Sequence, residues 1–234
     1  MASEFTRREL NSNPLAVGVE HGVDYFSLHR SQAVKIAAAV VGVAILALGF
    51  WLWRSHEEEA RRAKLGEAFN TQDAAVGALA APTGQTFPTQ EAKDAAVLKA
   101  FSGVAAEYPG THEGSIAQYY VASAQLRDNK IAEARKNLQA LADSRDKEYG
   151  SLAKLSLAQL AYSENRPADG EKLLRDLIAN PTELVSKEEA TLVLARYLGK
   201  TNPAQARVLL QPLLVQGGAV GQEANTAMTE LNGK

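Results

Sequence analysis

The sequence predicts an all-α chain, in which a single transmembrane helix is followed by a solenoid of α-hairpins. Residues 36–53 (IAAAVVGVAILALGFWLW) form an unbroken apolar run. Beyond Trp53, alanine and leucine dominate and β-branched residues rarely alternate, which favours helix over strand. A block of small and large apolar residues also recurs with a period of 36 residues, and a fixed period of roughly 20–50 residues is the signature of stacked repeats.

In the tail (residues 1–32), Asn13 before Pro14 reads as a helix start, and Leu15, Val19, Val23 and Phe26 recur at spacings of three and four. A short amphipathic helix on a membrane surface is expected there, although Gly18 and Gly22 weaken it. The transmembrane helix follows at residues 33–54. The apolar run opens at Ile36, and its eighteen residues rise about 27 Å, close to the roughly 30 Å hydrocarbon core of a bilayer. Phe50, Trp51 and Trp53 gather at one edge, where amphipathic rings favour the headgroup level, and Lys35 and Arg54 flank the run. A cleaved signal peptide would begin near residue 1 and end in a small-x-small site. Here a 35-residue tail precedes the run and Arg54, Ser55, His56 and three glutamates follow it. Arg7, Arg8, Arg30 and Lys35 before the run nearly balance Arg54, Arg61, Arg62 and Lys64 after it, and because only Arg30 and Lys35 lie close on the N-terminal side, the local count slightly favours a cytoplasmic C-terminal side. Long domains cross membranes largely regardless of charge, so both orientations stay open.

Residues 55–88 read as a helical extension and a loop. Glu57 with Arg61 and Glu58 with Arg62 make Glu-first i,i+4 pairs that carry the helix onward. Leu65, Ala68, Phe69, Val76 and Leu79 give an apolar stripe as far as Ala81, with a break at residues 70–73. Pro82, Gly84 and Pro88 then mark a loop.

Residues 89–234 carry the repeats. Ile131-Ala132-Glu133-Ala134 with Leu138 and Leu141 returns as Pro167-Ala168-Asp169-Gly170 with Leu174 and Leu177. It returns again as Pro203-Ala204-Gln205-Ala206 with Leu210 and Leu213. Val121-Ala122, Leu157-Ala158 and Leu194-Ala195 hold matching places in the preceding helices. Polar turns at residues 128–130, 164–166 and 199–202 separate the two helices of each pair, and the third copy is one residue shorter from Ala195 to Ala206 than the others are from Ala122 to Ala134 and Ala158 to Gly170. Pro167 and Pro203 suit a first helical position, where no N–H is needed. Pro109 and Pro181, two periods apart, each close a second helix, which implies a degenerate first repeat ending at Tyr108-Pro109. Residues 220–231 are the expected capping helix, stopping at Asn232-Gly233. Small residues at Ala122, Ala134, Ala158, Gly170 and Ala206 let helices approach closely, in the spacing of tetratricopeptide repeats.

This layout resembles the ancillary SecYEG translocon subunit (YfgM-like) family, through the anchor edge Trp51-x-Trp53-Arg54 and the repeats around Tyr119 to Ala122, Ala158 to Gly170 and Ala190 to Ala206. The resemblance implies a bacterial inner-membrane protein with a cytoplasmic N-terminus and a periplasmic repeat domain. Its partners would be translocon subunits and periplasmic chaperones. The tail over residues 6–30 is longer than is usual for that family. A scaffold for another membrane assembly, such as cytochrome maturation or cell division, fits the same residues.

Chemistry is sparse. From Lys64 onward 18 Lys and Arg face 20 Asp and Glu, a balance that argues against nucleic acid. The chain has no cysteine, hence no thiol nucleophile and no zinc–thiolate site. His21 and His29 are eight apart, too far for i,i+4 metal ligation, and no phosphate-binding loop occurs. His112, the one histidine in the repeats, reads as a solvated turn residue, and Asp128, Asp143 and Asp146 as solvated turn carboxylates rather than paired acids. No cofactor, metal or catalytic role is expected. A solenoid's usable surface is the concave face lined by the first helix of each hairpin. Tyr119, Ser123, Gln159, Tyr162 and Arg196 are the candidates there, since tyrosine and arginine anchor interfaces well. Against this, Tyr119 and Tyr162 suit packing between hairpins equally.

Overall fold

A computed structural model describes residues 30–77 and 84–233, with side chains from Val34 onward. The expected tail helix, His21, His29 and Leu79 lie outside the described residues. The described chain divides into two units, with the boundary between Glu59 and Ala60.

Helix α1 (Arg30–Gln72) begins in the first unit and ends in the second. Its large apolar side chains from Val34 to Trp53 are 55–74 % exposed, including Ile36, Phe50, Trp51 and Trp53. This is the reverse of a soluble core helix. By length and composition the segment can cross a membrane.

The second unit is a stack of hairpins. Helices α2 (Gln90–Glu107), α3 (His112–Arg127), α4 (Ile131–Ala142), α5 (Lys147–Ser163), α6 (Pro167–Ala179), α7 (Lys187–Thr201), α8 (Pro203–Leu214) and α9 (Gly218–Asn232) follow in order. Leu65 and Ala68 near the end of α1 are buried against Val97, Phe101 and Val104 of α2, which gives the degenerate first hairpin. It closes at Tyr108, and α6 closes at Asn180, each one residue before a proline and each with near-identical backbone angles. Helices α3/α4, α5/α6 and α7/α8 are the three repeats, and α9 caps them.

The repeat positions are the core. Ala134, Leu138 and Leu141, then Leu174 and Leu177, then Ala206, Leu210 and Leu213 are all at most 5 % exposed. Their alternation of small and large side chains packs each second helix onto two first helices. Fully burying a leucine is worth about 1.5–3 kcal/mol.

Local signals fix the ends. Thr111, Asp146 and Ser186 cap α3, α5 and α7 by accepting from the N–H of Gly114, Tyr149 and Glu189. Two of the turns share one geometry. Lys130 N–H bonds Gln125 O and Asn129 N–H bonds Leu126 O, while Arg166 N–H bonds Ala161 O and Asn165 N–H bonds Tyr162 O. These are Schellman closures, with Asn129 and Asn165 left-handed at φ 59°. The third turn is reduced to Asn202, which ends α7 and also caps α8.

Two expectations are corrected. The break expected at residues 70–73 is where the helix ends, but the strand pairing that follows it was not expected. Helix α1 stops at Gln72, and β1 (Ala75–Val76) pairs in parallel with β2 (Thr86–Phe87) inside the expected loop. A parallel pair of two residues leaves no periodicity to read, and Gly77 and Gly84, both at positive φ, turn the chain beside it. Arg61, expected to pair with Glu57, donates instead to the buried Glu113 of α3 at 3.3 Å, because a buried carboxylate is costly without close charged partners, and Arg62 at 3.9 Å is the more distant of the two.

Candidate protein-binding surface

Ser123, Gln159 and Arg196 occupy one register position on α3, α5 and α7, spaced 36 and 37 residues apart. Ser123 is half-buried, and the other two are exposed. Arg196 is engaged by Glu223 of the capping helix at 3.1 Å.

Tyr119 lies one turn before Ser123, and both line a groove of about 400 Å³ between the first two hairpins. Its floor is aromatic. Phe101 lies flat against Tyr120 with ring centres 4.6 Å apart and 7° between planes, and Phe69 meets both edge-on at 5.2 Å. Such pairs add about 0.5–1.5 kcal/mol beyond burial. Tyr119 itself touches Tyr149 edge-on at 6.0 Å. Lys93 and Arg127 supply the basic rim, and Asp94 accepts from Gln90 Nε2 at 2.8 Å. Gln72 Oε1 is buried here without a hydrogen-bond partner. The groove can take an apolar side chain and offers polar groups at its edge.

Tyr162 is three residues beyond Gln159, on the far edge of α5. It stacks on Tyr197 of α7 at 3.6 Å and 4°, and its ring fills the space above Gly170. Its hydroxyl is buried and unpartnered, and burial pushes the phenol pKa up to about 12. Burial likewise raises Tyr149 and Tyr197.

The turn residues each hold a structural part. His112 is not simply solvated: its Nδ1 lies 2.8 Å from Asp146 Oδ2 and its ring sits edge-on to Tyr149. The partner is 34 residues away, at the start of the next repeat's first helix, so no local spacing announces it. Asp146 caps α5, Asp143 accepts from Gln139 Nε2 at 3.0 Å, and Asp128 lies 3.9 Å from Lys130. Sequence reasoning missed Phe69, Phe101 and Tyr120 as a unit; the signal was three aromatic residues on apolar stripes in a chain whose aromatics are only 6 %.

Helical hairpins stacked in succession, with a groove between the first two and a long apolar helix ahead of them, define a helical-repeat interaction protein. More particularly, the profile of the tetratricopeptide repeat-like domain family matches residues 29–209, more than three quarters of the chain, and the chain belongs to that family. No curated protein and no solved structure matches it. Repeat domains of this type are interaction modules and typically not enzymes, so protein partners follow.

Proposed function

We propose that this chain is a membrane-anchored accessory subunit of the Sec protein translocation machinery, linking it to chaperones. Residues 33–54 are the anchor in a bacterial inner membrane, with the N-terminus cytoplasmic. Residues 55–88 extend from the membrane, and residues 89–234 form the binding domain in the periplasm. The observation that carries this reading is the run of solvent-exposed apolar side chains from Val34 to Trp53, on a helix that ends inside a repeat stack. The family profile begins at residue 29, so apolar helix and repeats fall within one family domain. The resemblance described above supplies the translocon.

Tyr119, Ser123, Gln159 and Arg196 form the partner-contacting face, with Tyr162 bordering it. Tethering raises the effective concentration of this face for other membrane proteins. The mechanism is docking.

The test is co-purification of the tagged full-length chain in mild detergent, probed for translocon core subunits and periplasmic chaperones. A Ser123→Glu, Gln159→Glu, Arg196→Glu triple variant is run beside it, with circular dichroism to confirm folding. Wild type retains those partners and the folded variant loses them. Recovery of cytochrome-maturation or cell-division subunits instead would overturn the assignment.

A further inference from the structure

We infer that the groove beside Tyr119 binds an extended segment of a partner protein that carries an aromatic side chain and, about three residues away, an aspartate or glutamate. This rests on the reading of Tyr119 and Ser123 as partner-contacting residues, though not on the translocon assignment. The repeats show what opens the groove. Ser123 and Ala124 hold the register positions of Gln159 and Leu160 in the next repeat and of Arg196 and Tyr197 in the last. Two small side chains stand where the later repeats place larger ones, and about 400 Å³ is left between α2, α3 and the end of α1.

The two ends of the groove differ in chemistry. Phe101, Tyr119 and Tyr120 line one end, with the two tyrosine rings edge-on at 6.5 Å, and such a wall favours another aromatic ring. At the other end Lys93 lies in the first turn of α2, and Arg127 is the last residue of α3. Among the described residues neither cation is paired, and both are donors only, so a carboxylate is their complement. The one acid of the lining, Asp94, already accepts from Gln90 Nε2. Seven residues separate Tyr120 from Arg127 and eight separate Phe101 from Lys93, which sets the cations about 10–12 Å along the helices from the rings. Extended backbone advances about 3.3 Å per residue, so a ring and a carboxylate three residues apart reach both ends. A helix about 10 Å across would need roughly 800 Å³ over that length, twice the space present.

The test titrates the full-length chain in detergent into a fluorescein-labelled peptide, Gly-Ser-Phe-Gly-Ser-Asp-Asp-Gly, and reads fluorescence anisotropy. Alanine in place of its phenylalanine, and lysines in place of its aspartates, give two control peptides. The wild type is expected to bind the parent peptide at least about tenfold more tightly than either control. Lys93→Glu with Arg127→Glu, shown by circular dichroism to be folded, should reverse the preference and select the lysine peptide. Equal binding of the parent and either control, or a variant that keeps the wild-type preference, would overturn the inference. So would absence of binding; if the wild type then forms a dimer that Lys93→Glu with Arg127→Glu dissociates, the groove belongs to a second copy of the chain. Peptide binding without co-purified translocon subunits upholds the groove and overturns the translocon reading alone, whereas intact co-purification without peptide binding overturns the groove alone.

Discussion

Gly170→Ala sets two effects of known size against each other. Alanine is preferred over glycine within a helix by about 1 kcal/mol, so propensity alone predicts a more stable protein. The other repeats hold Ala134 and Ala206 at this same position, both fully buried, so the backbone accepts a methyl there. At Gly170, however, a Cβ would stand 2.6 Å from Tyr162 Cε2 and 3.0 Å from Ala158 O. The tyrosine ring cannot withdraw, since Tyr197 is stacked on it at 3.6 Å, and the second obstacle is backbone. Overpacking of this kind costs about 1–3 kcal/mol, or about 2 kcal/mol at mid-range, against the gain of about 1 kcal/mol from propensity. The net expectation is destabilisation by about 1 kcal/mol, or a melting temperature lower by about 2–4 °C. Urea and thermal unfolding of the full-length chain in detergent, followed by circular dichroism, give the value. The α3/α4 repeat, with Leu126 where this one has Tyr162, shows how to relieve the clash. In a Tyr162→Leu background, Gly170→Ala is expected to become neutral or stabilising, with a coupling of about 1 kcal/mol or more. If Gly170→Ala alone stabilises the protein by the full propensity difference, the packing described here is wrong.

Other perturbations follow from the same stack. Asn165→Ala puts a β-carbon residue with no local hydrogen-bonding side chain at φ 59° and is expected to cost about 1 kcal/mol in urea unfolding, whereas Asn165→Gly is neutral or better. Arg61→Ala leaves the Glu113 carboxylate, on a residue only 8 % exposed, facing Arg62 at 3.9 Å, and should lower stability by about 1–3 kcal/mol. Glu113→Gln in the Arg61→Ala background should then recover part of that loss. The Lys154 ammonium, 2.5 Å from Asp176, holds that carboxyl below the usual aspartate range. Its folded pKa is depressed, so the stability it contributes is present above the unfolded value near 3.9 and is lost as pH falls through the folded one. An acid titration of Lys154→Gln should therefore show a shallower loss over that window than wild type.

What could be read from the sequence was whatever repeats or caps locally. Leu138, Leu174 and Leu210 are equivalent because each hairpin meets its neighbour in the same way, so period and burial coincide. Asp128-Asn129-Lys130 and Glu164-Asn165-Arg166 announced turns because asparagine tolerates the left-handed conformation that a Schellman closure needs. What escaped are contacts between positions that no local rule links. His112 with Asp146, Arg61 with Glu113 and Arg196 with Glu223 lie 34, 52 and 27 residues apart and depend on the superhelical stacking of hairpins. The Phe69–Phe101–Tyr120 floor needs three helices in place, and the β1/β2 pair is too short to imprint alternation. Of the candidate face, the shared position of Ser123, Gln159 and Arg196 was legible from the period; the groove beside Tyr119 was not.

The central claim is that the apolar part of α1 holds the repeat stack on the far side of a membrane. A reporter active only outside the cytoplasm, fused after Lys234, tests it directly, with a second fusion placed ahead of Ile36 as control. The account predicts an active C-terminal fusion and an inactive N-terminal one, both sedimenting with membranes and resisting carbonate extraction. An inactive C-terminal fusion, or a protein released as soluble by carbonate, would contradict it.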